Sequence, residues 1–334
     1  MRKRPALGID LPGCPLQLGT PLKVATRAWR RWGICWKAEE EFQELVSQSE
    51  EAYDMEWAST SSGGLEDIAR AAQLAGLGDA NKRLNQAVAH EVAELVARRR
   101  ERLNFADLGA GSGDTTGAVV LAAPHLVDLG NFHLIDPATA SLKDACVKLR
   151  DVGLSVGRNL FVHEGKDIEV LEGLETGSVD FIVATAALHH HAYMAPVFAG
   201  IAKVLRRGGW LVIGDWHCTM WSSPARVLGL LDEIEWPGKR EQMRELRRRF
   251  GGSEPVEEEQ SSDLEEADEQ IRAFWTNYAR TKDPANPFFL LLEGHRPARE
   301  YVEEVAGHGI KVRRGPVCLL PGSALLSVMV LQKE

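Results

Sequence analysis

The stretch Leu103–Gly117, LNFADLGAGSGDTTG, decides the fold that the sequence predicts. A short apolar run ends in Asp107, and a turn containing Gly109, Gly111 and Gly113 follows directly. This order is typical of a strand, a tight turn and the start of a helix. Glycine lets the backbone adopt positive φ and approach a ligand closely, and the exposed N–H groups of such a turn favour anionic or polar ligand groups.

The alternation of strand and helix continues beyond this stretch. Further apolar runs predict strands that begin at Phe132, Leu160, Val179 and Trp210, with amphipathic helical patterns between them. Repeated units of this kind predict a mostly parallel sheet with helices on both faces. Two last strands, within residues 310–331, are separated by a short Pro-Gly-Ser turn and are predicted to pair antiparallel. We therefore expect an α/β fold with a seven-stranded, mostly parallel sheet, a closing antiparallel hairpin, a helical N-terminal region and a helical insertion after strand five.

Composition narrows the class of protein. The chain has 334 residues, a hydrophobic fraction of 44% and a formal net charge of −9. The acidic balance argues against a general binder of the nucleic-acid backbone. No apolar run is long enough for a membrane span, and prolines and an aspartate interrupt any signal peptide, so a cytoplasmic location is expected. The five scattered cysteines indicate neither a zinc site nor a disulfide framework.

The N-terminal segment differs in charge from the rest of the chain. Residues 1–37 contain eight Lys and Arg against the single acid Asp10. Trp29, Trp32 and Trp36 recur at helical spacing within it. A helix that packs on the main domain through these tryptophans is the preferred interpretation, and a contact with RNA or a membrane surface is the alternative.

Five segments, in this order and at the expected spacing, resemble motifs of the class I S-adenosylmethionine-dependent methyltransferase family: Asp107–Gly113, Asp136, Gly165–Ile168, Ala184–His190 and Leu205–Ile213. The resemblance implies that S-adenosylmethionine is the cofactor. It further implies that the glycine turn holds the methionine end, Asp136 accepts the ribose hydroxyls and Asp167 meets the adenine amino group. The cofactor-binding residues implied in this way are Asp107, Gly109, Ala110, Gly111, Gly113, Asp136, Pro137, Asp167, Ile168, Ala184 and Thr185.

A nicotinamide-dependent dehydrogenase is the competing interpretation of the glycine turn. Its G-x-G-x-x-G fingerprint requires a third glycine at the position of Asp114, and Gly113 and Gly117 are out of register. The closing antiparallel hairpin also favours the methyltransferase sheet.

The resemblance divides the chain into four predicted parts. Residues 1–100 form a helical lid region, and residues 101–215 form the Rossmann-like, cofactor-binding core. Residues 216–292 form a helical insertion over the acceptor site, and residues 293–334 supply a helix and hairpin that complete the core. The acidic segment at 251–270, with nine acids and no Lys or Arg, is predicted to be an exposed, partly mobile connection.

Four residues are candidates for the chemistry: His189, His190, Asp215 and His217. A histidine near the end of strand four suits a general base near neutral pH, and the alternative is that it positions the loop. Asp215 and His217, at the end of strand five, either bind the acceptor or take its proton, or they cap the following helix. Consecutive histidines point in different directions, so no metal site is predicted.

Aromatic and histidine side chains are candidates for binding the acceptor, although aromatic residues at helical spacing belong more often to a core. The candidates are Tyr53, Trp57, His191, Tyr193, Trp216, Trp221, Trp275 and Tyr278. The chain has neither the Asn/Asp-Pro-Pro-Tyr tetrapeptide of base and glutamine methyltransferases nor the paired-glutamate loop of arginine methyltransferases. We therefore expect direct SN2 transfer of the methyl group to a small-molecule acceptor. An RNA- or protein-modifying methyltransferase and a non-catalytic, cofactor-binding scaffold are the alternatives.

Overall fold

The structure is a computed structural model and describes residues 70–191, 194–218, 224–235, 238–250, 262–282, 295, 298–313, 318–320 and 325–334. Its strands are β1 (Leu103–Leu108), β2 (Gly130–Asp136), β3 (Leu160–Glu164), β4 (Val179–Thr185), β5 (Leu205–Trp216), β6 (Ile310–Val312), β7 (Cys318–Leu319) and β8 (Leu326–Lys333). They form one sheet in the order β3-β2-β1-β4-β5-β8-β6, with β7 paired to β8.

The first five strands are parallel, as the alternating sequence pattern predicts. β1 pairs with both β2 and β4, β3 lies outside β2, and β5 lies outside β4. The chain therefore changes direction across the sheet between β1 and β4. In an open α/β sheet, the crevice at this reversal, beyond the carboxyl ends of the strands, is the usual position of a ligand.

Helices pack on both faces of the sheet. They are α1 (Ala80–Val96), α2 (Asp114–Ala122), α3 (Leu126–Leu129), α4 (Thr139–Arg150), α5 (Asp167–Gly173), α6 (Met194–Val204), α7 (Pro224–Glu233), α8 (Lys239–Phe250), α9 (Ser262–Lys282) and α10 (Ala298–Ala306). Neighbouring residues of β1 belong to separate buried clusters, since Phe105 joins the cluster that contains Leu84 and Val88 of α1, while Ala106 joins the one that contains Phe198 of α6. Successive side chains of a strand point to opposite faces, so the two clusters are the two sides of the sheet.

The antiparallel closing strands are confirmed, with one difference in their number. The first predicted closing strand, residues 310–320, is present as two short strands, β6 and β7, and both pair antiparallel with β8. The sheet thus has eight strands, and seven of them form its continuous path. β8 also pairs antiparallel with β5 over seven residues and joins the hairpin to the parallel part of the sheet.

The start of β5 differs from the prediction. The strand is predicted to begin at Trp210, but β5 begins at Leu205 and runs through Arg206–Gly209, with an irregular register opposite Val179 and Phe181. Gly208 has φ +74°, a value that favours glycine. The two glycines therefore produce a local bulge within the strand pair and do not end the pairing.

The prediction of an exposed connection at 251–270 is also wrong in part, because α9 begins at Ser262 within this segment. The buried residues Ala267, Ile271, Phe274 and Tyr278 repeat every three or four positions along α9. A buried stripe of this spacing stabilises a helix on which Glu265, Glu266 and Glu269 are exposed to solvent. The remaining acidic residues, 251–261, lie outside the described residues.

The predicted division of the chain into parts stays a prediction. The described helices α7, α8 and α9 fall within the predicted insertion at 216–292, and α10 and the closing strands fall within 293–334. Of the predicted lid at 1–100, α1 and residues 70–79 are described, and the basic, tryptophan-bearing segment lies outside the described residues. Among the described helices, none combines the length and the apolar character that a membrane span requires.

Candidate functional site

The turn between β1 and α2 has the backbone conformation that its glycines predict. Gly109 and Gly111 have φ values of +63° and +49°, which residues other than glycine rarely adopt. A Cβ atom on Gly109 would lie 2.5 Å from the Cβ atom of Ala187, so the loop after β4 packs directly on this turn. The space around a Cβ atom on Gly111 is open to 4 Å, which leaves the turn accessible at its centre. The N–H of Ala110 donates to the carbonyl of Ile135 at 3.0 Å and fixes the turn to β2.

Asp107 is a buried carboxylate with one oxygen unused. The hydroxyl of Thr116, in the first turns of α2, donates to Oδ2 at 2.6 Å, while Oδ1 has no hydrogen-bond partner among the described residues. Burial, with a smaller contribution from the nearby charges of Asp136 and Asp167, raises the pKa of the Asp107 carboxyl to about 7 against the lowering effect of its hydrogen bonds with Thr116. An unused, buried acceptor of this kind suits a cationic ligand group.

Asp136, the last residue of β2, is oriented by two backbone groups. The N–H of Ala138 donates to Oδ1 and that of Gly111 donates to Oδ2, both at 2.8 Å. Burial raises the pKa of Asp136, and the charge of His190 works in the opposite direction. Each carboxylate oxygen can accept a further hydrogen bond, so the group can receive a pair of hydroxyls. Pro137 is exposed directly after it.

Asp167 opens α5 beside these two acids. Its Oδ2 lies 3.0 Å from Nε2 of His191, and its buried Oδ1 has no hydrogen-bond partner in the described part of the chain. Ile168 is half-buried and packs against the hydrophobic cluster on the α6 side. The three predicted acids Asp107, Asp136 and Asp167 are thus brought together at one edge of the sheet.

The end of β4 lies between β1, which carries Asp107, and β5, which carries Asp215. Ala184 is fully buried and pairs with Leu108 of β1 and Ile213 of β5. Thr185 follows with a buried hydroxyl that has no hydrogen-bond partner within the described ranges. Ala186 has φ +49°, the one positive value among the described residues other than glycine. Such strain is tolerated where the surrounding structure holds it, and it concentrates at functional sites.

His189 and Asp215 form a buried pair across the ends of β4 and β5. The ring Nδ1 of His189 lies 2.6 Å from Oδ1 of Asp215, and the His189 backbone N–H donates to Oδ2 at 3.2 Å. The N–H of Trp216 also donates to Oδ1, at 2.8 Å. The side chains of His189 and Asp215 are 5% and 0% exposed. An ionised carboxylate only accepts, so it keeps the hydrogen of a neutral imidazole on Nδ1 and leaves the lone pair on Nε2.

The other predicted histidines face different groups. His190 is close enough to Asp136 for its charge to act on that carboxyl, and His191 pairs with Asp167. His217 accepts a hydrogen bond on Nδ1 from the backbone N–H of Ala298, the first residue of α10, at 2.8 Å. This contact corresponds to the capping alternative for His217, although with a helix that lies later in the chain.

The predicted aromatic residues that are described lie in one buried cluster. Trp216, Trp275 and Tyr278 are 4%, 2% and 1% exposed, and Phe274 packs edge-on against both tryptophans. The cluster reaches the catalytic candidates, since Trp216 stacks on His189 with ring centroids 5.5 Å apart. Binding of an acceptor by these side chains stays a prediction. Tyr53, Trp57, Tyr193 and Trp221 lie outside the described residues.

Two residues of the site are absent from the candidates that the sequence predicts. His295 is fully buried and stacks on His189 with centroids 4.2 Å apart, and it accepts a hydrogen bond from the indole N–H of Trp275 at 3.3 Å. Thr116 is the hydrogen-bond donor to Asp107. A helical pattern gives the position of Thr116, but only the packed structure shows which acid it meets. His295 stands apart from every motif, and tertiary folding brings it to the site.

The residues fit the cofactor that the resemblance implies. The unused oxygen of Asp107 suits a cationic amino-acid group, the oriented carboxylate of Asp136 suits a ribose diol, and the unused oxygen of Asp167 suits an amino group. Within the described residues, no group of three or more His, Cys, Asp or Glu side chains is arranged to hold a metal ion.

Comparisons with known proteins find a methyltransferase domain in this part of the chain. A family model described as a methyltransferase domain matches residues 106–211. A highly reducing polyketide synthase, sthA, from Phaeosphaeria nodorum is 26% identical over 124 residues, and the polyketide synthase ThaQ from Burkholderia thailandensis is 31% identical over 129. Each alignment covers 37% of this chain but only 4% and 6%, respectively, of these much longer relatives.

Two solved structures of low sequence identity are similar to this chain only at TM-scores below 0.5. Magnesium protoporphyrin IX methyltransferase from Synechocystis, solved with bound SAH, has a TM-score of 0.47 at 12% identity, covering 82% of this chain and 96% of its own. A structure described as a putative O-methyltransferase from Nostoc punctiforme has a TM-score of 0.44 at 17% identity, covering 73% and 55%. Neither value is high enough to transfer an activity to this chain.

Proposed function

We propose that this chain transfers the methyl group of S-adenosylmethionine to a small-molecule acceptor that loses a proton in the reaction, in keeping with the methyltransferase domain matched over residues 106–211. The observation that carries this proposal is the set of three buried acids around the glycine turn, together with the His189–Asp215 pair beside it. The first group fits the cofactor, and the second can accept a proton.

The cofactor half binds and orients by the contacts already present. Asp136 is held by two N–H groups, so no reorganisation of its carboxylate is needed to accept two hydroxyls. Asp107 and Asp167 each offer one buried oxygen. When bound, S-adenosylmethionine supplies a methyl group that is already activated by its positive sulfur.

The acceptor half holds a general base. Asp215 fixes the ring of His189 through both the Nδ1 contact and the backbone N–H, so Nε2 is the atom that takes the proton. The aspartate also stabilises the imidazolium that forms. His295 and Trp216 stack on the ring, which keeps it in place and limits the access of water.

The need for a base indicates the class of acceptor. A hydroxyl group, or a carbon atom next to carbonyl groups, must lose a proton before or during methylation. The likeness of residues in the core to polyketide synthases supports such an acceptor, because polyketide chains contain both groups. The predicted lid at 1–100 and the insertion at 216–292 would enclose it. The cytoplasmic location stays a prediction.

Calorimetric titration with S-adenosylhomocysteine tests the cofactor half. We expect saturable binding by the full chain, weakened about 100-fold in Asp136→Ala because two hydrogen bonds to a charged group are lost. As a matched control, Asp144→Ala in α4 removes an exposed acid from the same region and leaves the affinity unchanged. Absence of binding by a folded wild-type sample would overturn the proposal.

Release of S-adenosylhomocysteine tests the acceptor half. The wild-type chain is mixed with S-adenosylmethionine and with a β-ketoacyl thioester, a phenol or a primary amine of similar size. We expect turnover with the thioester or the phenol, and isotope-labelled product distinguishes a carbon from an oxygen acceptor. Turnover with the amine alone would contradict the role of His189 as a base for acidic acceptors.

A further inference from the structure

We infer that His191 is a positioning residue, which holds Asp167 so that the free oxygen of this carboxylate selects a nucleobase bearing an amino group. This inference rests on the proposed function, because the nucleobase is the adenine of the S-adenosylmethionine cofactor. It assigns His191 to the cofactor half of the site, whereas the sequence suggests a contact with the acceptor.

The contact itself fixes which oxygen of Asp167 remains available. Nε2 of His191 lies 3.0 Å from Oδ2, and the two side chains are 22% and 6% exposed. Since an ionised carboxylate cannot donate, the ring donates from Nε2. Oδ1 is buried without a hydrogen-bond partner in the described part of the molecule. The histidine thus satisfies one oxygen and holds the other in place for a ligand.

A buried carboxylate oxygen is selective for the chemistry of its ligand. An amino group donates to it, whereas a carbonyl group in the same place would bring two acceptors together without a hydrogen between them. Leaving such groups unsatisfied in a buried site is costly. The carboxylate therefore distinguishes adenine, with its exocyclic amino group, from hypoxanthine, which carries a carbonyl at that position.

The backbone around His191 is anchored, so its ring can act as a support. The N–H of His191 donates to the carbonyl of Leu188 at 3.0 Å, and that of His190 donates to the carbonyl of Ala187 at 3.1 Å. Ala187 packs on the glycine turn at Gly109, and His189 is held by Asp215. The short turn Leu188–His190 therefore connects the cofactor half to the general base. His191, directly after it, extends this connection to Asp167.

The experiment measures the selectivity of binding for the nucleobase independently of turnover. Affinities of the full chain for S-adenosylhomocysteine and for S-inosylhomocysteine, in which a carbonyl replaces the amino group, are measured by calorimetry. We expect wild type to prefer the adenosine ligand about 30-fold, the range of one hydrogen bond to a charged group. In His191→Phe the preference falls to about 3-fold, because Asp167 loses its support. In His191→Gln, which keeps an N–H donor, we expect at least about 10-fold preference.

The matched control is His163→Phe. His163 is also half-buried, but its ring hydrogen-bonds His133, at 2.9 Å, and not one of the three acids. This variant should retain the wild-type preference. Thermal melting accompanies each variant, and His191→Ala replaces His191→Phe if the latter does not fold.

The outcomes separate the inference from the proposed function. A wild-type chain that binds neither ligand overturns both. A chain that binds both ligands equally, or a His191→Phe variant with the wild-type preference, overturns the inference and leaves the proposed methyl transfer intact. Loss of preference in both His191→Phe and His163→Phe would also overturn it, because the effect would then not be specific to the contact with Asp167.

Discussion

Asp107 and Asp215 are both buried acids near the carboxyl edge of the sheet, but their surroundings are opposite. Asp215 accepts hydrogen bonds on both oxygens, including two from His189, and a potential cation lies against it. Asp107 accepts from Thr116 on one oxygen, while its other oxygen is unused among the described residues and its neighbours Asp136 and Asp167 are also acids. Asp215 thus serves a partner that the chain itself supplies, whereas Asp107 lacks a charge that a ligand would bring.

The largest effect that tests this comparison is expected on turnover. His189→Ala should lower kcat by about 10²–10⁴-fold, the range of general acid–base catalysis, with the dissociation constant for S-adenosylhomocysteine within about 2-fold of wild type. Asp215→Asn should lower kcat by a similar factor, because it no longer holds the ring with its hydrogen on Nδ1. Steady-state kinetics and calorimetry on the same preparations check both expectations.

The double variant decides whether the two residues act as a unit. His189→Ala/Asp215→Asn should be about as slow as His189→Ala alone, since Asp215 works through the ring. If the fold-losses in kcat of the two single variants multiply in the double variant, Asp215 acts separately from His189. That result would contradict the statement that Asp215 serves a partner within the chain.

A smaller effect is expected on cofactor binding as a function of pH. The pKa of Asp107 lies at about 7 without a ligand, mainly because of burial. The carboxylate attracts a cation only when ionised, so the affinity for S-adenosylmethionine should rise about 10- to 30-fold from pH 5.5 to 7 and then level off. Asp136, whose pKa is also raised, contributes in the same direction.

Asp107→Asn is the control for this pH dependence. An amide does not ionise, so the variant should bind weakly at every pH and show a flatter profile. Calorimetry in buffers of different ionisation enthalpy should also detect a proton released on binding near pH 6.5 by wild type, and less release by the variant. A profile as steep in the variant as in wild type would assign the titration to another group.

The smallest expected effect is on stability, and its sign separates the two acids. Folding raises the pKa of Asp107 from 3.8 to about 7, so its contribution to stability is most favourable below pH 3.8 and is lost as the pH rises to about 7. Ionisation then costs up to about 4 kcal/mol. Asp107→Asn should therefore raise the Tm of the ligand-free chain at pH 8 by several degrees, and by less at pH 5.

Asp215→Asn should have the opposite sign. Its carboxylate accepts from three N–H groups, and an amide nitrogen in place of one oxygen would face a donor, at a cost of about 1–3 kcal/mol. Differential scanning calorimetry of both variants at pH 5 and 8 checks the pair. A lower Tm for Asp107→Asn at pH 8 would show that its carboxylate is already satisfied without a ligand.

Much of the cofactor half could be predicted because its parts are local in sequence. Asp107 is the second-last residue of β1 and Asp136 the last residue of β2, and parallel strands end at the same edge of the sheet. The glycine spacing predicted the turn between β1 and α2 for the same reason. By contrast, the acidic composition of residues 251–270 predicted an exposed connection, although α9 begins within it. The buried residues from Ala267 to Tyr278 stabilise this helix in spite of its many acids.

What the sequence determined by itself is the succession of strands and helices and the acids that end the strands, because periodicity and glycine spacing act within a few residues. Only the tertiary structure decided the partners: that His189 meets Asp215, that His191 meets Asp167, that His217 caps α10, and that His295 stacks on His189. These contacts join segments far apart in the chain, and their strength comes from burial, which no local pattern contains. Folding thus brings three consecutive histidines under the influence of three separate acids, two of them by direct contact.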